Sequence, residues 1–140
     1  TPVSLIMADV DNFRQVNNNY GHLAGNAVLH QVAERMLTSI RSEDAIGRFG
    51  GEEFLAVLSN CDAKQTIKLA ERIRGRVSHP PIQTAETSVS VNLSIGVTTI
   101  LGEIEAEEAI KQADTALYRA KQLGKDRVCS YDRQPNLSRL

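Results

Sequence analysis

Arg48-Phe49-Gly50-Gly51-Glu52-Glu53-Phe54 divides an apolar run ending at Phe49 from a second one, Phe54-Leu55-Ala56-Val57-Leu58. Two glycines between strand-like runs predict a β-hairpin that turns at Gly50 and Gly51, flanked by strands at 45–49 and 53–58. Successive strand side chains point to opposite faces, so at most one of Glu52 and Glu53 can face a given site. A carboxylate fixed at a hairpin tip suits a hard divalent cation. The glycines let a phosphate-bearing ligand approach the backbone.

Upstream, Val3-Ser4-Leu5-Ile6-Met7-Ala8 is an apolar run of strand length that closes on Asp9-Val10-Asp11. An acid at the carboxyl end of a buried strand lies where sheet proteins place ligand and metal chemistry. Asp11 is expected to cap a short helix near 12–17. A longer helix is expected over 25–41, because Val28, Leu29, Val32, Met36, Leu37 and Ile40 recur at helical spacing. Asp62 caps another over 63–78, with Ile67, Leu69, Ala70, Ile73 and Val77 inward and Pro80-Pro81 as its stop. Residues 87–100 alternate and read as a strand. A helix over 105–123 follows, with Ala109, Ile110, Ala113, Leu117 and Ala120 on one face and Gly124 at its end. Spacing alone gives Lys121 and Lys125 the task of complementing that helix's dipole. A short strand at 127–131 completes an α/β sandwich, with helices over a mainly antiparallel sheet.

Composition fits one domain. The 140 residues can bury a real core, and 41% hydrophobic with 24% charged residues is ordinary for a soluble chain. A net charge of −1 gives no global argument for a nucleic-acid partner. No apolar stretch is long enough to insert in a membrane. Cys61 and Cys129 lack metal-ligand spacing and read as reduced thiols of a cytoplasmic protein. Residues 132–140 read as a frayed tail.

The ordered set is more specific than any member. It runs Asp9-Val10-Asp11-Asn12-Phe13-Arg14, Asn17, Gly21-His22-Leu23-Ala24-Gly25-Asn26 and Gly50-Gly51-Glu52-Glu53-Phe54. Leu93-Ser94-Ile95-Gly96-Val97 and Ala113-Asp114 through Lys121, Gly124 and Lys125 follow. From about residue 4 to 131 the chain resembles the GGDEF family of diguanylate cyclases. The resemblance implies a ferredoxin-like core shared with nucleotide cyclases. It also implies condensation of two GTP into cyclic di-GMP with release of pyrophosphate.

Carried onto these residues, Mg²⁺ or Mn²⁺ is held by Asp9, Glu52 and the Val10 carbonyl. Glu53 is a further ligand or helps the 3′-hydroxyl lose its proton. The amides of Asn12 and Phe13, with Arg14, Lys121 and Lys125, receive the triphosphate, and Asn17 and Asn26 read guanine. Arg41 and Asp44, seconded by Arg72, match the family's product-inhibition site. A second copy of the domain and an upstream sensor or receiver domain are implied partners. The family also has a segment ahead of the first strand, which includes a helix; the 140 residues start at that strand and are expected to be part of a longer chain.

Three departures bear on function. Arg14 stands where the family has Lys and Lys125 where it has Arg, which keeps charge but changes fork geometry. Asn26 stands where the family has Asp. A carboxylate accepts from both N1–H and the 2-amino group of guanine, whereas Asn offers one acceptor and one donor. Losing a charge-assisted bond costs about 1.5–3 kcal/mol, or roughly tenfold to a hundredfold in GTP affinity. The readings are a slower cyclase, a relaxed one that admits ATP, or a silent receptor for cyclic di-GMP or GTP.

Overall fold

The computed structural model describes residues 1–131, so the tail expected at 132–140 lies outside the described residues. Its spine is β1 (Val3–Val10), whose alternate side chains enter two different cores. Ile6, Ala8 and Val10 join one apolar cluster, while Leu5 and Met7 join another. A strand covered on both faces has no polar face to show, which is why its sequence reads as an unbroken apolar run.

Antiparallel to β1 lie β3 (Glu53–Ser59) on one side and β6 (Leu93–Ile100) on the other. β2 (Ala45–Arg48) pairs antiparallel with β3, and β7 (Arg127–Ser130) pairs parallel with β6. The sheet order is β2-β3-β1-β6-β7, the split βαβ order of a ferredoxin-like core extended by one parallel edge strand. β4 (Ile82–Gln83) and β5 (Ser88–Val89) form a small separate hairpin.

α1 (Phe13–Tyr20), α2 (His22–Leu37) and α3 (Ala63–Ser78) cover one face through Val16, Val28, Val32, Met36, Ala70, Ile73 and Val77. α4 (Ala106–Gln122) covers the other through Ala109, Ala113 and Leu117. The α/β class, the mainly antiparallel sheet and the Asp62 cap agree with expectation. Asp62 and Gln65 form a full capping box, with bonds of 2.8 and 3.0 Å.

Several boundaries differ from the sequence reading, for tertiary reasons. α2 begins at His22, because Gly21 (φ 90) serves at once as the last cap of α1 and the first of α2, and it ends at Leu37 with Thr38 as its cap. The strand expected over 87–100 is broken at 90–92, and β6 is buried on both faces rather than alternating. On α3, Ile67 is exposed and Thr66 takes the inward position.

A single arginine joins the ends of two helices. From α2, Arg35 donates to the carbonyls of Val77 (3.1 Å), Arg76 (3.2 Å) and Pro80 (2.6 Å). Those carbonyls lie where a helix C-terminus leaves acceptors without partners. Replacing Arg35 by Ala is expected to lower unfolding free energy by about 2 kcal/mol, the scale of charged hydrogen bonds partly replaced by water. Arg35→Lys should recover less than half, since one ammonium cannot span the same carbonyls. Urea titration checks both, and an unchanged midpoint for Arg35→Ala would refute the assignment.

Candidate active site

The edge where β1 and β3 end gathers the acids. Asp9 pairs directly with Glu53 in the β1–β3 register, so both side chains leave the same face, the α4 face. Lys121 reaches from α4 to Asp9, Nζ to Oδ2 at 2.6 Å, and Asp9 is nearly buried. Burial raises the Glu53 pKa, and the neighbouring Asp9 carboxylate raises it further against the pull of Lys121. Burial alone would lower the Lys121 pKa; the bond and charge of Asp9, then Glu53 and Glu52, outweigh it and leave it raised. Two like charges crowded on one face, one of them reluctant to ionise, fit a divalent cation.

Glu52 is placed differently. Its carbonyl accepts from the Val10 N–H at 3.2 Å, which extends the ladder past Asp9, and the next side chain alternates away from Glu53. Its carboxylate still acts on Lys121 through charge. The acid in contact with Asp9 is therefore Glu53. Among the described residues no group of three His, Cys, Asp or Glu side chains gathers closely enough to hold a metal unaided.

The hairpin is wider than the two-residue turn expected. Phe49 N–H donates to the Glu53 carbonyl at 2.8 Å, and neither Gly50 nor Gly51 adopts the positive φ that such a turn requires. Arg48 braces the loop through the Gly51 carbonyl (2.5 Å). A Cβ on Gly50 would lie 3.2 Å from Glu53 Oε1, while one on Gly51 would meet nothing within 4 Å. Gly50 gives the carboxylate room, and Gly51 faces open space.

Asp11 does not cap α1. Asn12 holds the cap position in a left-handed conformation (φ 56), and no side chain caps the helix. Asp11 is instead buried, accepting from Ser94 Oγ at 2.6 Å and the Asp126 N–H at 2.9 Å. Burial raises its pKa despite those bonds. Sequence reasoning missed Ser94 and Asp126; a lone hydroxyl inside the apolar run 93–97 was the available signal. The amides of Asn12 and Phe13 donate to no group among the described residues.

Lys125 is not part of α4. Gly124 (φ 122) ends the helix in a Schellman arrangement, with Lys125 N–H on the Ala120 carbonyl (3.0 Å). Lys125 and Asp126 then continue with φ 66 and 48. Left-handed backbone costs a non-glycine residue on the order of 1–2 kcal/mol, so this turn must be held from outside. Lys125 Nζ donates to Asn12 Oδ1 at 2.7 Å, which brings it to the same corner as the free amides. Arg14 is exposed on α1.

Asn17 is half-buried on α1. Its Oδ1 lies 1.9 Å from where a Gly25 Cβ would be, so its carboxamide rests on the residue before Asn26. Asn26 itself is exposed on α2. Farther away, Arg41 forks onto Asp44 (Nε–Oδ2 3.0 Å, Nη2–Oδ1 2.9 Å), which also accepts from the Ser59 N–H. Burial opposes ionisation of Asp44, but Arg41 holds its pKa below the usual carboxylate range. Arg72 donates to the Ser39 carbonyl at 2.8 Å.

Comparison with known proteins bears on the family and the fold. Residues 1–127 match the family model described as diguanylate cyclase, GGDEF domain. Diguanylate cyclase DosC of Escherichia coli K12 is 38% identical over 129 residues, which is 91% of this chain and 28% of that protein. The chain thus spans under a third of that relative's length. The active GGEEF domain of a diguanylate cyclase from Vibrio cholerae is 34% identical with a TM-score of 0.88, covering 96% of this chain and 85% of that one. The coiled coil and GGDEF domain of DgcB from Caulobacter crescentus, in complex with c-di-GMP, is 26% identical with a TM-score of 0.87 over 93% of this chain and 70% of that one. No described helix is long and apolar enough to cross a membrane. With both its ordered motifs and its strand order in agreement, this chain belongs to the GGDEF family of diguanylate cyclases.

Proposed function

We propose that this domain joins the 3′-oxygen of one GTP to the α-phosphorus of another, breaking the bond to the β-phosphate and releasing pyrophosphate. Two such steps yield cyclic di-GMP. The observation that carries the reading is the Asp9–Glu53 carboxylate pair beside Lys121, at the same strand ends as the free Asn12 and Phe13 amides. Mg²⁺ or Mn²⁺ would be held there by Asp9, Glu52 and the Val10 carbonyl, with Glu53 beside Asp9 as a further ligand or as acceptor of the 3′-hydroxyl proton. Bound, it supplies neutralisation of the triphosphate and a lower pKa for the attacking hydroxyl. Mg²⁺ takes one or two carboxylates and completes its shell with phosphate oxygens and water, so the donor set suffices with substrate present.

The chain's own groups do the rest. Lys121, Lys125 and Arg14 place positive charge around the phosphates, where helix-terminal amides also favour anions. Glu53, whose pKa is raised by burial and by Asp9, would receive the 3′-hydroxyl proton. Asn17 and Asn26 face the base. One domain offers one such half-site, so the partner is a second copy, brought close by an upstream sensor or receiver domain. The Arg41–Asp44 fork, with Arg72, receives the product as an inhibitor. Arg41 and Asp44 are bonded to each other, and Arg72 to the Ser39 carbonyl.

Asn26 sets base choice. Incubating a dimer with Mg²⁺ and equimolar GTP and ATP is expected to give cyclic di-GMP as the main product. Asn26→Asp should then lower KM for GTP roughly tenfold by restoring a charge-assisted acceptor. Mixed or adenine dinucleotides from the wild type, shifted to cyclic di-GMP in Asn26→Asp, would mean relaxed selectivity. No product from either, with cyclic di-GMP bound tightly and lost in Arg41→Ala, would make the domain a receptor.

A further inference from the structure

The turn that carries Lys125 is tied down from two sides. On the inside, the buried Asp11 carboxylate accepts from the Asp126 N–H (2.9 Å) and spends its other oxygen on Ser94 Oγ (2.6 Å). Its own N–H donates to the Asn92 carbonyl at 2.9 Å, so the acid is anchored to β1 and to the start of β6. On the outside, Arg74 of α3 bridges Asp126 Oδ1 and Glu71 Oε1, each at 2.8 Å. Between these ties, Gly124, Lys125 and Asp126 run through three consecutive positive φ values. A strained run of this kind persists only where its surroundings over-determine it, and strain tends to be kept where it serves a site. The consequence is directional: with the Asp126 amide pinned, the Lys125 side chain lies across the strand ends and meets Asn12 Oδ1 at 2.7 Å.

We infer that Asp11 is a positioning residue for nucleotide binding, acting through the Asp126 amide to hold Lys125 at the triphosphate corner. The inference rests on the nucleotide reading above and assigns Asp11 no contact with metal or substrate. It gives the two acids of Asp9-Val10-Asp11 different tasks. Asp9 faces the Glu53 carboxylate, while Asp11, one strand repeat later, supports the cation that meets the phosphates. Ser94 and Asp126 are its partners, 83 and 115 residues away.

The test is a double-variant cycle. Binding of a GTP analogue with a non-hydrolysable α–β bridge, in Mg²⁺, is measured by calorimetry for wild type, Asp11→Ala, Lys125→Ala and the double variant. Each single change is expected to weaken binding about tenfold, a coupling well within the range of contacting residues. The double variant should be no weaker than Lys125→Ala alone, because Asp11 acts only through that lysine. Asp11→Asn should recover most of the affinity, since its Oδ1 can accept from the Asp126 amide while Nδ2 donates to Ser94. Steady-state kinetics should show the loss in KM, with kcat largely kept. If Asp11→Ala fails to fold, Ser94→Ala replaces it in the same cycle with a smaller loss, about threefold. Equal losses with and without Lys125 would make Asp11 a structural tie only and overturn the inference. So would unchanged affinity in Asp11→Ala and Ser94→Ala while the wild type binds. A wild type that does not bind the analogue would overturn the nucleotide reading itself.

Discussion

Asp9→Asn should cut cyclic di-GMP formation by about a thousandfold, several kcal/mol of metal-borne charge stabilisation, while leaving the fold in place. The replacement has nearly the same shape, so the packing of Ala8 and Val10 on either side is undisturbed. Lys121 loses its 2.6 Å partner, but Glu53 lies on the same face to receive it. The melting temperature is therefore expected to move by only a few degrees. A second readout separates charge loss from misfolding. With Asp9 neutral, the Glu53 carboxyl should titrate closer to its ordinary 4.5, because one of the causes raising it has gone. Carboxyl NMR follows that directly. Wild-type turnover in Asp9→Asn would end the assignment of this corner as the catalytic one.

The same pair sets a pH dependence with a definite sign. Glu53 binds its proton more tightly folded than unfolded, so its contribution to stability is full below 4.5 and is lost as pH rises through the raised folded value. Asp11 carries the same sign. A divalent cation relieves the crowding that ionisation creates. Mg²⁺ should thus raise the melting temperature more above the Glu53 titration than below it.

Gly96→Ala is expected to cost about 1–3 kcal/mol or more, the range for overpacking a close-packed interior. Gly96 lies in β6 opposite Met7, under α4. A Cβ there would come within 2.2 Å of the Leu117 nitrogen and 2.3 Å of the Ala113 carbonyl oxygen. These are backbone atoms, which no rotamer change can move aside. The helix must lift, and with it Lys121 at the far end of α4. Loss of stability and of nucleotide affinity should therefore appear together, in contrast to Arg35→Ala, which sits on the opposite face. An unchanged denaturation midpoint in Gly96→Ala would refute the close approach of α4.

The acids and cations of the site were legible because their motifs are short and ordered, and the helices because caps and 3.6-residue periods are local. Asp62 and Gln65 could be read as a cap from four residues. Asp11 could not be read correctly: its position invites a cap, and only Ser94 and Asp126, both remote in sequence, outbid the helix for its oxygens. Lys125 follows the Gly124 helix end that the sequence marks, but nothing local shows that three positive φ values turn its side chain back to Asn12.

What the sequence determined by itself is the family, the alternation of strands and helices, and the set of charged groups at the strand ends, since each depends on neighbours within a few residues. Tertiary structure alone decided that Glu53 rather than Glu52 meets Asp9, that β6 is buried on both faces, and that Asp11 supports the Lys125 turn. Those outcomes depend on strand register and on partners tens of residues apart, and a hydrogen bond or ion pair across that distance forms only once the sheet has brought both ends together.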